Sequence, residues 1–292
     1  RQIDQSLSVN TYEYYMNGDL KKVNNKVYNY TNGLLTSINN NLLTYTNTYF
    51  LHTYLGKTYN FTNDKLTSFV DSNNNTYYYE YNYRGLRTKK IFNNTTINYY
   101  YDESDRLILE QRGTIRIYYI YILDELIGFM YNNNKYYYLK DIEKRIVGIV
   151  AGSTVVAKYQ YSAYGVIISF DEDNYISGIN KFFYKSYYYD TESNMYYLKN
   201  RYYSLDILRF ISPDNYNYLN LDNHTNYNLY AYCNNNPIIN YDPDGNEVLS
   251  IILGLIFGAI IGFSAAAIED YEEDGIWFNG DIRKYVGYTF VG

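Results

Sequence analysis

The stretch RYYSLDILRFISPDNYNYLNLDNHTNYNLYAYCNNNPIINYDPDGN, residues 201–246, separates two unlike parts of the chain. All three prolines, Pro213, Pro237 and Pro243, fall inside it, as does the one cysteine, Cys233. Upstream, Tyr and Asn dominate and helix-type periodicity is almost absent. Downstream the composition turns apolar, with regularly spaced glycines. The stretch is the joint between a β scaffold and something different.

Working outward, the upstream region carries an imperfect repeat of Tyr-x-Tyr, a Gly, Asn or Asp turn, and then Leu. Copies begin at Tyr14, Tyr28, Tyr59, Tyr81 and Tyr99, the last three about twenty residues apart. Such a period marks one supersecondary unit repeated along the chain. Each unit reads as strand, tight turn, strand, with rings alternating between faces. A lone unit cannot bury its face, so neighbours must pair edge to edge into a long sheet. The sequence gives no sign of a compact core. Leu55-Gly56-Lys57-Thr58 echoes a phosphate-binding loop, but Leu51 stands where its first glycine belongs, so it reads as a hairpin.

Composition narrows the function. The 292 residues include 45 Tyr, aromatics reach 20%, and the net charge is −6 with no basic block. That excludes nucleic acid as the partner of the scaffold, since phosphate binding needs clustered Lys and Arg. One cysteine allows no intrachain disulfide, and two distant histidines, His52 and His224, make no zinc site. No cofactor is predicted. The start, RQIDQSLSVN, lacks the pattern of a signal peptide and begins in mid-repeat without Met, as a fragment of a longer polypeptide does.

The repeats resemble those of the YD-repeat, or RHS, family, and Tyr101-Asp102 with Asp105-Arg106-Leu107 keeps most of its unit pattern. The resemblance strengthens downstream. Tyr136-Tyr137-Tyr138-Leu139-Lys140-Asp141 and Tyr164-Gly165 resemble the opening of the RHS-associated core. Phe182 to Asp190, the turn at Thr191-Glu192-Ser193, and Met195 to Tyr203 resemble its aromatic strands. Arg201-Tyr202-Tyr203, Arg209-Phe210-Ile211-Ser212-Pro213-Asp214, Asn228-Leu229-Tyr230-Ala231-Tyr232 through Pro237, and Asp242-Pro243-Asp244-Gly245 follow in the family's order. Departures are Ser204-Leu205 for Asp-Pro, Leu208 for Gly, and Asn246 for the Leu that closes the pattern.

The resemblance implies a mostly β fold, a spiral YD-repeat shell closed by the RHS-associated core domain. The divisions are residues 1–134 for the repeats, 135–245 for the core and 246–292 for a variable C-terminal region. It also implies a secreted or cell-surface scaffold of a bacterial polymorphic toxin, whose partners are its own C-terminal effector segment and immunity or delivery proteins. Some members cut themselves just after the core with two carboxylates. Carried over, Asp214 and Asp242 are the candidate pair and Arg209 the supporting cation. Turn chemistry alone would also place these aspartates. A second function class, a cell-surface adhesive protein whose repeats bind carbohydrate or a partner and whose C-terminal apolar helix anchors the chain, fits the composition as well.

Past Gly245, Val248 to Ile268 runs 21 residues without a charge, with Gly254, Gly258 and Gly262 on one stripe. The pattern predicts a Gly-zipper α-helix over 248–268 that associates with a membrane, the alternative being a buried helix kept inside the shell as cargo. Trp277 and Tyr285 follow, and no nuclease, deaminase or transferase constellation is present. The segment after Gly245 should therefore co-float with liposomes while a chain ending at Gly245 stays behind; equal behaviour of the two would count against a membrane role.

Overall fold

The structure, a computed structural model, describes residues 10–172, 176, 178–214, 228–246 and 248–250. Strands dominate, all paired antiparallel, and no α-helix occurs among the described residues. A five-stranded sheet runs from Tyr12–Tyr14 to Asn41–Leu42. After Leu43 a fourteen-stranded sheet runs in strict sequence order from Thr44–Tyr45 to Ile167–Glu172. The long sheet crosses residues 134 and 135 without a break, through Glu125–Tyr131 paired with Asn134–Lys140. The change of architecture comes after Glu172.

Two kinds of turn build this meander. Two-residue turns such as Asn32-Gly33, Leu55-Gly56 and Asn63-Asp64 have positive φ at both positions, the geometry whose twist matches paired strands. Longer turns open with a side chain that accepts the amides two and four residues on. Asp102 Oδ1 takes the Ser104 and Arg106 amides, each at 3.0 Å, and Asp141 and Asn82 do the same in their turns. Arginine then links turn to turn. Arg84 donates to the carbonyls of Asp102 and Glu103, and Arg106 to that of Leu123.

The tyrosine before such a turn has its own task. At Tyr45, Tyr81, Tyr101 and Tyr161 the strand register shifts in a bulge, which re-aims the side chain. Each hydroxyl donates to a carbonyl of an earlier strand: Tyr81 to Leu66 at 2.7 Å, Tyr101 to Arg87 at 2.9 Å, Tyr161 to Ile146 at 2.7 Å. Tyr121, ahead of a short turn, reaches Leu107 in the same way at 3.1 Å. The Tyr-Asp pair is thus a unit of backbone satisfaction: the aspartate closes its own turn while the tyrosine ties it to the preceding repeat.

Tyr59, Tyr79, Tyr99 and Tyr119 recur every twenty residues, and all are buried on one face of the long sheet. That face is filled. A four-stranded sheet, Tyr188–Asp190, Met195–Leu198, Arg201–Ser204 and Arg209–Phe210, packs against it as a buried plug. Over the described residues the expectation of strands without a compact core is corrected, because the 20-residue tyrosine stripe and the plug rings form one continuous cluster.

Charge locks the two layers. The Arg87 guanidinium lies among the rings of Tyr79, Tyr99, Tyr188, Tyr197 and Tyr202, with centroids 4.5 to 5.8 Å away. Its Nη1 donates to Asp190, whose other oxygen accepts from Lys90 Nζ at 2.8 Å. Lys90 also reaches Glu192 at 2.7 Å. Burial alone would push the Asp190 carboxyl up, but Arg87 and Lys90 hold it below the usual carboxylate range. A second fully buried carboxylate, Glu110, accepts the Tyr119 and Tyr188 hydroxyls at 3.1 and 3.0 Å.

The helix predicted over 248–268 is corrected at its start. Leu249–Ser250 form a strand paired with Asn240–Tyr241, because the Pro243–Gly245 turn folds the chain back on itself. The rest of that run, 251–268, lies outside the described residues, as do His224, Trp277 and Tyr285. No helix among the described residues is long and apolar enough to cross a membrane.

Two substitutions separate the local bond from the interlayer lock. Arg87→Met leaves buried Asp190 with Lys90 as its one remaining cation partner and should cost roughly 3–5 kcal/mol in denaturant unfolding. Tyr101→Phe loses one partly buried hydrogen bond and should cost about 1 kcal/mol. Equal costs would contradict the assignment of Arg87 as the lock.

Candidate functional site

The plug strand Arg201–Ser204 carries Arg201, which is buried with its guanidinium 3.7 Å from the Phe210 ring centroid. Burial of the charged form lowers its pKa, and the surrounding carboxylates oppose that. Its Nη2 lies 2.7 Å from Asp214 Oδ2 and 3.6 Å from Asp242 Oδ2. The two carboxylates that the sequence singled out, 28 positions apart, therefore share one guanidinium nitrogen. The same side chain donates from Nη1 to the Leu229 carbonyl at 3.1 Å and from Nε to that of Gly245.

Asp242 is fully buried and held as the opening residue of a turn. Its Oδ1 accepts the Gly245 amide at 2.7 Å and the Asp244 amide at 3.3 Å, while its own amide donates to the Tyr187 hydroxyl at 3.2 Å. Oδ2 has no hydrogen-bond partner. Burial pushes this carboxyl up to about 7, with Arg201 pulling the other way. Asp214, at 15% side-chain exposure, instead holds the close ion pair with Arg201. One carboxyl that keeps its proton near neutrality, set beside one paired with a cation, is the division of roles that acid–base chemistry needs.

The turn leaves no room for another residue at Gly245. Its φ is +88°, and a Cβ there would meet Arg201 N and Leu198 O at 3.0 Å. Next door, Lys185 Nζ is buried against the carbonyls of Pro237 and Asn240, fixing the run into Asp242. Burial pushes the Cys233 thiol up to about 12, so it is no nucleophile at neutral pH. A cavity of about 950 Å³ opens beside Arg201, Asp214 and Asn246. No cluster of metal-ligating side chains exists among the described residues.

Arg209 is placed elsewhere. Its strand pairs with Arg201–Ser204, and its guanidinium turns to the first sheet, 3.6 Å from Asp19 Oδ1 and 3.2 Å from the Tyr30 hydroxyl. The cation between the aspartates is Arg201, which the sequence offered only as the head of Arg-Tyr-Tyr. Its signal was present: an arginine in the same ordered motif, at the start of a strand leading towards the Ser-Pro-Asp turn.

Known proteins share this arrangement of strands. Crystal structures of TcdB2-TccC3-TEV and TcdB2-TccC3 superpose with TM-scores of 0.59 and 0.58 at 16% and 18% identity, covering 81% of this chain and 13% of those. The fold is theirs. By sequence, the tRNA3(Ser)-specific nuclease WapA of Bacillus spizizenii is 30% identical over 179 residues, and the tRNA nuclease WapA of Bacillus subtilis 31% over 180. Salivary gland surface protein 1 of Aedes aegypti is 29% identical over 233 residues. The chain spans 7% to 8% of the length of these relatives. No family profile matches. Together the likenesses support an RHS-type chain.

The raised Asp242 carboxyl sets a pH signature. A group that binds its proton more tightly folded than unfolded adds stability below its unfolded pKa, about 4, and that contribution is lost as pH rises through about 7. Measured against Asp242→Asn, which keeps the shape without the titration, the wild-type melting temperature should fall between those pH values. A constant difference would contradict the buried, protonated carboxyl.

Proposed function

We propose that this chain is part of the scaffold of a secreted or cell-surface RHS-type toxin, in which the strand meander and its plug present a C-terminal effector segment. The fold shared with TcdB2-TccC3 supports this. So does its likeness, at TM-score 0.56, to the crystal structure of TcdB2-TccC3 without the hypervariable C-terminal region. The nuclease names of the Bacillus relatives suit an effector carried by the whole protein, outside the scaffold. The plug supplies the boundary between the two, and the sheet encloses what lies beyond it.

The observation that carries the reading further is the shared Arg201 nitrogen between Asp214 and Asp242. We propose that this pair releases the effector segment by a single-turnover cut at the end of the Asp242-Pro243-Asp244-Gly245 turn, after Asn246. Asp214 takes a proton from the water that attacks the Asn246 carbonyl carbon, and Asp242 gives its proton to the departing amine of Glu247, leaving a new carboxyl at Asn246. Arg201 keeps Asp214 charged and holds the Gly245 carbonyl, so that the peptide is presented in one conformation. Immunity or delivery proteins act on the assembled toxin.

Incubating the purified chain and mapping new termini by mass spectrometry tests the cut. The expected result is cleavage after Asn246 that is lost in both Asp214→Asn and Asp242→Asn. A chain that stays whole with both aspartates intact would sink the processing role and leave the scaffold role standing.

A further inference from the structure

A second cavity, of about 660 Å³, lies between the long sheet and the plug. Its size falls in the range of small-molecule sites. Tyr101 and Tyr121 border it from the long sheet, and Tyr187 and Tyr197 from the plug layer. All four hydroxyls are already engaged. Tyr101 and Tyr121 donate to the carbonyls of Arg87 and Leu107, Tyr187 bonds the Tyr232 hydroxyl and the Asp242 amide, and Tyr197 accepts the Arg87 amide. The walls therefore offer ring surface, which suits an aromatic or aliphatic body and not a polyhydroxylated one.

Charge on these walls is unbalanced. The bordering carboxylates are matched: Asp105 with Arg84 at 2.8 Å, Asp124 with Arg106 at 3.4 Å, and Glu125 with Lys140 and Lys144 at 2.6 and 3.4 Å. Arg87, also on the wall, is matched by Asp190. Two lysines of the plug layer are not matched. Lys185 Nζ donates to the carbonyls of Pro237 and Asn240, which leaves one of its three N–H groups over, and it has no carboxylate partner among the described residues. Lys199, in the turn between Met195–Leu198 and Arg201–Ser204, has no ion-pair partner among them either. Burial pulls the Lys185 ammonium pKa down, the cost of a cation held without a counter-charge, and a bound anion offsets it.

We propose that this cavity binds a small anionic amphiphile, its apolar body between the tyrosine rings of the two layers and its acidic group held by the plug lysines Lys185 and Lys199. Ring faces supply the affinity for the body, and the two unmatched ammonium groups select for the acid. Tyr241 and Pro243 border the same cavity, so an occupant braces the chain on both sides of Asp242. The site stands independently of the toxin reading and of the cut, since none of its groups takes part in either.

The test uses two fluorescent probes on the intact purified chain: anilinonaphthalenesulfonate, and phenylnaphthylamine, which has the same rings without the acid. The anionic probe should bind saturably and raise the melting temperature. Lys199→Glu, checked for an unchanged melting temperature, should weaken the anionic probe roughly tenfold and leave the neutral one as it was. Lys26→Glu, on the strand Lys26–Thr31 of the first sheet and outside the cavity, makes the same change in net charge and should alter neither. With the anionic probe bound, hydrogen exchange should slow in the strand Asn240–Tyr241 and at the turn Leu123-Asp124. An anionic probe indifferent to Lys199→Glu, equal losses in the two charge variants, or protection confined to other parts of the chain overturns the proposal. So does the absence of saturable binding.

Discussion

The docking of the plug on the long sheet depends on the ion pair between Arg87 and Asp190. Neither charge could be buried alone, because the desolvation of an unpaired ion costs several kcal/mol. The sheet answers this with geometry rather than extra charge. Five tyrosine rings surround the guanidinium; the Tyr197 hydroxyl accepts the Arg87 amide, the Tyr202 hydroxyl accepts from Arg87 Nη1, and the Tyr188 hydroxyl donates to Glu110. Lys90 completes the neutralisation from the same strand. The pair adds little net stability over a well-packed apolar contact, but it fixes register. A slip of one residue in the Arg87–Phe92 strand would turn Arg87 to solvent and strand Asp190 in the core.

Register matters here because the repeat is otherwise permissive. A meander of similar units, each rich in Tyr and Asn, can pair in several offsets with similar local energies. The bulges at Tyr45, Tyr81, Tyr101 and Tyr161 remove that freedom. Each orients its tyrosine towards a carbonyl of an earlier strand, so the unit is checked against its predecessor. The turn aspartate satisfies its own amides, and the arginine that follows holds the next turn. Local chemistry sets the spacing, and the Arg87 cluster sets where the series stops against the plug.

Much of this was legible in the sequence. The twenty-residue spacing announced the long sheet, and the turn residues announced its hairpins, including the one at Leu55-Gly56. What the spacing could not convey was which tyrosine face would be covered, since rings alternate on both sides of every strand. The cover comes from the plug, a partner more than eighty residues away in sequence from Arg87, and nothing local encodes that distance. The Leu249–Ser250 strand was hidden for the opposite reason. Its residues read as the start of a long apolar run, and only the backward fold at Pro243 and Gly245 gives them a strand partner.

The candidate site divides along the same line. Asp242 opens the turn that Gly245 closes, and Asp214 ends a Ser-Pro-Asp motif, so both were marked by their sequence. The arginine was not, because Arg201 and Arg209 lie on adjacent antiparallel strands and both are buried. Pairing decides between them. Arg209 sits across from Ser204 and leans towards Asp19, which opposes its charge, and the Tyr30 ring. Arg201 lies at the other end of its strand, where the Asp242 turn returns and Gly245 makes contact with it. A side chain at position 245 would push that turn off Arg201, move the Asp242 carboxyl away from the guanidinium and leave its raised proton affinity unopposed. The glycine therefore does for the site what Arg87 does for the fold: it fixes the distance at which a buried charge and its partner can coexist.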